Sequence, residues 1–307
     1  MLLRRILFAA AFALAMGILP ATAQEKLPVV ASFSIIGDFV KNVGGDRVAI
    51  DLLVGPEGDA HVYQPSPADA KRLAAAKVVF INGFKFEGWM DRLIKASGTK
   101  ANIIVATKGI TPREKADEDG KDAKKGHSHE HAGVDPHAWQ SIANAKIYAA
   151  NIRDALIAAD PAGKDTYEKN TADYLTKLTA LETEIKEGVA KIPAERRKII
   201  TTHDAFGYFG AAYGFQFIAP QGVSTESEAS ARDVAKIIRQ IKAQKIPAIF
   251  VENISDPRLM QRIAEETSAK IGGKVYSDSL SPAGGPASTY IDMMRNNIRQ
   301  FSAALTS

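Results

Sequence analysis

The chain contains no cysteine. Disulfides are therefore excluded, any metal site has to be assembled from His, Asp and Glu, and a lipid anchor on an N-terminal cysteine is not expected. A surplus of one charge is lacking too, since 39 Lys and Arg stand against 35 Asp and Glu, a net charge of +4. Two of the positives, Arg4 and Arg5, fall in an acid-free leader, which leaves the remainder at about +2. With no basic block interleaved by aromatics, that balance provides no footprint for nucleic acid or an anionic membrane surface. Past the leader no apolar run approaches the roughly 18–20 residues that a membrane-spanning helix needs.

The leader itself is distinctive. Residues 1–5 carry positive charge, 6–19 form a 14-residue apolar run, and Ala21-Thr22-Ala23 supplies a small-residue cleavage site. This order is that of a signal peptide over residues 1–23, and it predicts an exported, periplasmic chain that begins near Gln24. What remains is long enough to bury a core in each of two domains without disulfides.

From residue 27 onward short apolar runs alternate with amphipathic stretches. Strands are expected at 28–32, 48–54, 77–82 and 102–106, with helices at 36–43, 69–76 and 86–96 between them. The second half repeats the rhythm, with strands at 198–202, 215–218, 248–251 and 274–277 and helices at 205–213, 231–244, 258–269 and from Tyr290. Between the halves, Tyr167, Tyr174, Leu178, Leu181, Ile185, Val189 and Ile192 form one apolar stripe at helical spacing that ends before Pro193. The expected fold class is α/β: two βα lobes with parallel sheets, residues 24–160 and 195–307, joined by one long rigid linker helix within 161–194. Ligands in such sheets bind beyond the carboxyl ends of the strands, which places the site in the inter-lobe cleft.

One stretch breaks the pattern. Residues 113–131 hold 11 charged residues among 19 and no large apolar side chain, so 113–134 reads as a charged surface loop of the first lobe. It ends in His127-Ser128-His129-Glu130-His131. The other three of the six histidines, His61, His137 and His203, each stand just beyond an apolar strand or just before a helix. All three can face the same cleft, although a lone histidine at a strand end is more often a capping or packing residue than a ligand.

The segments around these histidines resemble one family, the cluster A-I solute-binding proteins of zinc and manganese ABC importers. Gly58-Asp59-Ala60-His61 with Tyr63 and Pro67-Ala68-Asp69 is similar to the family's first ligand loop. Asp135-Pro136-His137-Ala138-Trp139 is similar to its most recognisable motif, and Thr202-His203-Asp204-Ala205-Phe206 to its third ligand segment. Ser224-Thr225-Glu226-Ser227-Glu228-Ala229-Ser230 resembles the acidic turn that follows, and Val275-Tyr276-Ser277-Asp278-Ser279-Leu280 the strand that brings the fourth ligand. The resemblance runs from about Val29 to the C-terminus.

This resemblance implies that His61, His137, His203 and Asp278 hold a metal. Three imidazoles and one carboxylate suit Zn²⁺, whereas manganese members of the family typically carry Glu where this chain has His203. Some zinc members place a competing Glu just before the first His; here Ala60 stands there. The implied function is capture of Zn²⁺ and its delivery to an inner-membrane ABC permease with its ATPase, with no enzymatic role. The implied protein is a monomer that a periplasmic zinc metallochaperone could load, with His127, His129 and His131 as a secondary metal or capture loop. Glu226, Glu228, Glu252 and Asp204 read as groups that orient ligands or cap helices. The competing readings are a zinc-dependent hydrolase built on the same four residues, a manganese-type binding protein, or an adhesin of the same family.

Overall fold

The computed structural model describes residues 25–114 and 133–306. The first lobe runs β1 (Leu27–Phe33), α1 (Ser34–Gly44), β2 (Val48–Val54), α2 (Pro67–Ala75), β3 (Val78–Ile81), α3 (Met90–Ser97) and β4 (Asn102–Val105). Its four strands form one parallel sheet in the order β2-β1-β3-β4, with Val30 paired to Asp51 on one side and Val79 on the other. The last five residues of β1 are all buried, as expected of a central parallel strand covered on both faces. Helix α2 starts where Ser66-Pro67-Ala68-Asp69 dictates: Ser66 accepts the Asp69 N–H, Asp69 accepts the Ser66 N–H at 2.7 Å, and Pro67 opens the first turn.

The helix expected at 86–96 begins only at Met90. The residues before it form a turn in which Phe84 and Lys85 are left-handed, with φ of 52° and 60°, wrapped around the buried Glu87 carboxylate. A second difference concerns the charged loop. Its ends are pinned rather than free, because β5 (Arg113–Glu114) pairs antiparallel with β6 (Val134–Asp135). Two-residue strands leave too little alternation to be read from sequence.

Helices α4 (Ile142–Ala159) and α5 (Lys164–Ala190) follow. The expected stripe is buried along α5, and Thr171 fills the gap between Tyr167 and Tyr174, its hydroxyl donating to the Tyr167 carbonyl at 2.7 Å. Arg197 closes the end of the helix by donating to the carbonyls of Val189 and Ile192. The second lobe runs β7 (Lys198–Ile200), α6 (Gly207–Tyr213), β8 (Gln216–Ile218), α7 (Ala231–Gln244), β9 (Ala248–Glu252), α8 (Arg258–Glu265), β10 (Lys270–Val275) and α9 (Tyr290–Leu305). Its sheet is parallel in the order β10-β9-β7-β8. Strand β10 starts four residues before the expected 274, with a shift of register between Ile271 and Lys274 at Gly272-Gly273.

The linker helix does not stand clear of the lobes. One apolar core runs through both of them and includes Phe33, Phe39, Tyr148, Leu178, Phe209 and Phe301. Helix α9 packs on α5 and β10, and Arg295 grips Glu184 of α5 at 2.6 Å. A smaller cluster of Ile200, Ile237, Ile241, Ile249, Met260 and Ile263 belongs to the second lobe. No helix among the described residues is long and apolar enough to cross a membrane.

Candidate metal centre

Both sheets direct their carboxyl ends toward the space between the lobes. His61 follows β2, His137 follows β6, His203 stands three residues past β7, and Asp278 three residues past β10. The fold brings all four together, with one donor atom from each lying within 4.8 Å of the others. Asp278 is central: its oxygens lie 3.2 Å from Nε2 of His61, 3.5 Å from Nε2 of His137 and 3.0 Å from Nε2 of His203. His137 and His203 approach Nε2 to Nε2 at 3.4 Å. A tetrahedral ion with bonds of about 2.0–2.1 Å separates its donors by about 3.3 Å. The spacing fits.

The environment of these atoms argues for a cation as well. His137, His203 and Asp278 are fully buried, and His61 is 5% exposed with its Nε2 shielded from solvent. Neither oxygen of Asp278, nor Nε2 of His61, has a well-formed hydrogen bond among the described residues. A buried carboxylate left so is costly unless positive charge faces it. Where only protons balance it, the imidazoles take them. Burial alone would lower the pKa of His137, but Asp278 and Asp135 outweigh burial and raise it to about 9. Burial acts the same way on His203 and is overcome by Glu252 and Asp278, which push it well above the usual imidazole value. Burial would raise Asp278, but His203 and His137 hold it well below the usual carboxylate range. At His61 burial prevails and the pKa falls.

The backbone of each histidine is anchored, and the rings of His137 and His203 are also met at Nδ1. The backbone N–H of His61 donates to Asp59 at 2.9 Å, and that of His137 to Asp135 at 3.0 Å, two turns of one kind with Asp two residues before His. Asp135 Oδ1 also meets Nδ1 of His137 at 2.9 Å. Glu252, from β9, serves His203. Phe86, Phe33 and Trp139 pack beneath the rings, with Phe86 4.6 Å from His61. Ala60 is fully buried and its carbonyl accepts the Trp89 indole N–H at 2.7 Å, so no competing acid sits before His61.

Other groups were not legible as functional. Asn82 donates to the carbonyl of Pro136 at 2.9 Å, which fixes the backbone just before His137, and accepts from Tyr148 at 2.5 Å. Glu87 in turn holds the Asn82 N–H at 2.7 Å and the Ser32 hydroxyl at 2.6 Å. These contacts join residues up to 66 positions apart, and no local pattern announces them.

Of the four acids read as supporting groups, only Glu252 touches one of the four site residues. Glu226 and Glu228 are exposed, and the cap of α7 is Ser230. Asp204 lines a separate cavity of about 510 Å³ between α6, α7 and β8, together with Arg113, Gln216, Asp233 and Lys236. Gly207 also borders it, and a Cβ there would fall on Arg113 and Asp135. His127, His129 and His131 lie outside the described residues.

The family described as the periplasmic component A of the zinc-uptake complex matches residues 29–304. The chain belongs to this family. Its members are substrate-binding proteins of metal ABC transporters, the cluster A-I metal-binding proteins, and their fold is the one seen here. The chain is similar to the manganese ABC transporter substrate-binding lipoprotein PsaA of Streptococcus anginosus, 33% identical over 93% of this chain and 91% of that one. It is similar also to the iron-binding protein YfeA of Yersinia pestis, 33% identical over 91% and 86% of the two chains. Among solved structures, the periplasmic zinc-binding protein TroA of Treponema pallidum superposes with a TM-score of 0.83, 30% identity and 92% coverage of this chain and 100% of that chain. These relatives are named for three different metals, so family membership leaves the choice of metal to the donor set.

Proposed function

We propose that this protein captures Zn²⁺ outside the cytoplasm and hands it to an ABC permease with its ATPase. His61, His137, His203 and Asp278 are the proposed ligands. The observation that carries the reading is the convergence of three imidazole nitrogens and one carboxylate, within 4.8 Å of one another, in a buried pocket. Nitrogen-rich, four-donor shells favour zinc, while manganese prefers more oxygen donors and a higher coordination number. Four protein donors also complete the shell, whereas a catalytic zinc keeps one position for water, so a hydrolase built on these residues is the weaker reading. The family relationship supports export, and the proposed route is a leader over residues 1–23 cleaved near Gln24, giving a periplasmic protein. Several relatives are named lipoproteins; this chain carries no cysteine for such a modification.

Competition between Zn²⁺ and Mn²⁺ for the full chain tests the choice of metal. Zinc bound at least a hundredfold more tightly, about 2.7 kcal/mol, supports the reading. Equal affinities, or a preference for manganese, place the protein with its manganese-named relatives.

A further inference from the structure

Glu252 is the last residue of β9, the strand beside β7, and it is fully buried. Its two oxygens have separate tasks, both directed at His203. Oε1 accepts the His203 backbone N–H at 2.9 Å, and Oε2 lies 2.5 Å from the ring Nδ1. Neither atom has a hydrogen bond elsewhere among the described residues, so this buried contact is the one place each can find its partner. The opposite edge of the same ring points Nε2 at Asp278 and His137.

A neutral imidazole carries one ring proton, and its place decides everything the ring can do here. On Nδ1 it leaves Nε2 bare and able to bind a cation. On Nε2 it blocks that nitrogen. We infer that Glu252 is a positioning residue that keeps the ring proton of His203 on Nδ1 and so makes His203 a metal donor. The inference rests on the metal-capture reading and identifies the residue that prepares one of its ligands.

The requirement is for two acceptors and not for a particular shape. Two N–H groups of His203 converge on Glu252, and a carboxylate receives both. Glutamine has the same shape but one oxygen and one NH₂. With its oxygen on the backbone N–H, its NH₂ donates to Nδ1 and drives the ring proton onto Nε2. With its oxygen on the ring, the NH₂ confronts the backbone N–H, two donors face to face in a buried place. His137 differs instructively, because the single oxygen Oδ1 of Asp135 receives both its backbone N–H and its Nδ1. Asparagine at 135 retains that oxygen.

The test is zinc affinity of the full chain by chelator competition at pH 7.5 for wild type, Glu252→Gln and Asp135→Asn, together with ¹⁵N–¹H spectra of the histidine rings. Glu252→Gln is expected to lose ten- to hundredfold in zinc affinity, with the His203 Nδ1 proton of the zinc-bound protein losing its deshielding and exchanging faster than in wild type. Asp135→Asn is expected to lose several-fold less. A Glu252→Gln protein that binds within twofold of wild type with unchanged ring signals overturns the inference. Should that variant not fold, zinc-bound wild type still decides: the His203 Nδ1 proton is expected to be strongly deshielded and slow to exchange, and a freely exchanging one overturns the inference. Wild-type protein that takes up no zinc would instead remove the metal-capture reading.

Discussion

The indole N–H of Trp139 donates to the carbonyl of Ser277 at 2.9 Å, across the boundary between the lobes and one residue before Asp278. Gln140 donates to the same carbonyl at 2.9 Å, and Tyr290 returns a hydrogen bond to the carbonyl of Trp139 at 2.5 Å. The segment that carries His137 thus grips the segment that carries Asp278. Nearby, Ser34 accepts the N–H of Leu280, and Glu57 donates to the Leu280 carbonyl. The separation of these two proposed ligands is set by hydrogen bonds as well as by the shared apolar core.

Trp139→Phe removes the indole donor and leaves the ring stack nearly intact. Ser277 keeps its bond from Gln140, so the expected loss of stability is about 1–2 kcal/mol, read from urea unfolding. Zinc should dissociate several-fold faster, because Asp278 is less firmly placed. An unchanged dissociation rate would show that Asp278 is positioned without Trp139.

On the proposed reading, zinc binds the folded cleft and not the unfolded chain. A thousandfold excess over Kd is expected to add about 4.1 kcal/mol to stability, and a chelator to remove it. Alanine at His61, His137, His203 or Asp278 should each weaken zinc binding by at least tenfold, about 1.4 kcal/mol. Full affinity in any one of these variants takes that residue out of the proposed ligand set.

Protons are expected to compete with metal at the proposed ligand His137, whose pKa of about 9 reflects Asp278 and Asp135 overcoming burial. Below that pH, zinc has to displace the proton, so affinity should climb with pH up to about 9, by about tenfold per unit for each proton displaced. The same shift works in the other direction on the stability of zinc-free protein. A histidine with a raised folded pKa stabilises fully below its unfolded value, about 6.5, and that contribution is lost as pH rises through 9. Competition titrations from pH 6 to pH 9.5 and unfolding of chelator-treated protein read the two trends. A flat affinity profile over that range would show that His137 carries no proton.

Asp38 offers a second pH dependence, remote from the metal centre. Its carboxylate accepts the N–H of Tyr290 at 3.0 Å at the start of α9, and burial, with Asp292 nearby, raises its pKa to about 6. An acid raised in this way stabilises most below its unfolded value, near 3.8, and loses that contribution as pH rises through 6. Asp38→Asn keeps an oxygen for Tyr290 and removes the charge. It is expected to stabilise the protein at pH 7.5 by up to about 3 kcal/mol and at pH 4.5 by only about 1 kcal/mol. An equal effect at both values would mean that ionisation of Asp38 plays no part.

Some of this protein was written in local stretches of chain. The alternation of strands and helices, the stripe along α5, the Ser66–Asp69 cap and the Asp59–His61 and Asp135–His137 turns all depend on residues a few positions apart. Periodicity and hydrogen bonds of short reach express themselves directly in sequence. The three histidines were legible at the same scale, at strand ends or before a helix, and resemblance to a known family joined them into one set and added Asp278. Tertiary structure decided the rest. It brought Glu252 behind His203 by placing β9 beside β7, Asn82 against Pro136, and Ser277 under Trp139. It also delayed α3 to Met90, because Glu87 turns inward to bind the ends of β1 and β3. These contacts span 49 to 138 residues, or hang on a buried carboxylate finding its donors. Sheet order and the burial of polar groups determine such partners, and both exist only once the chain has folded.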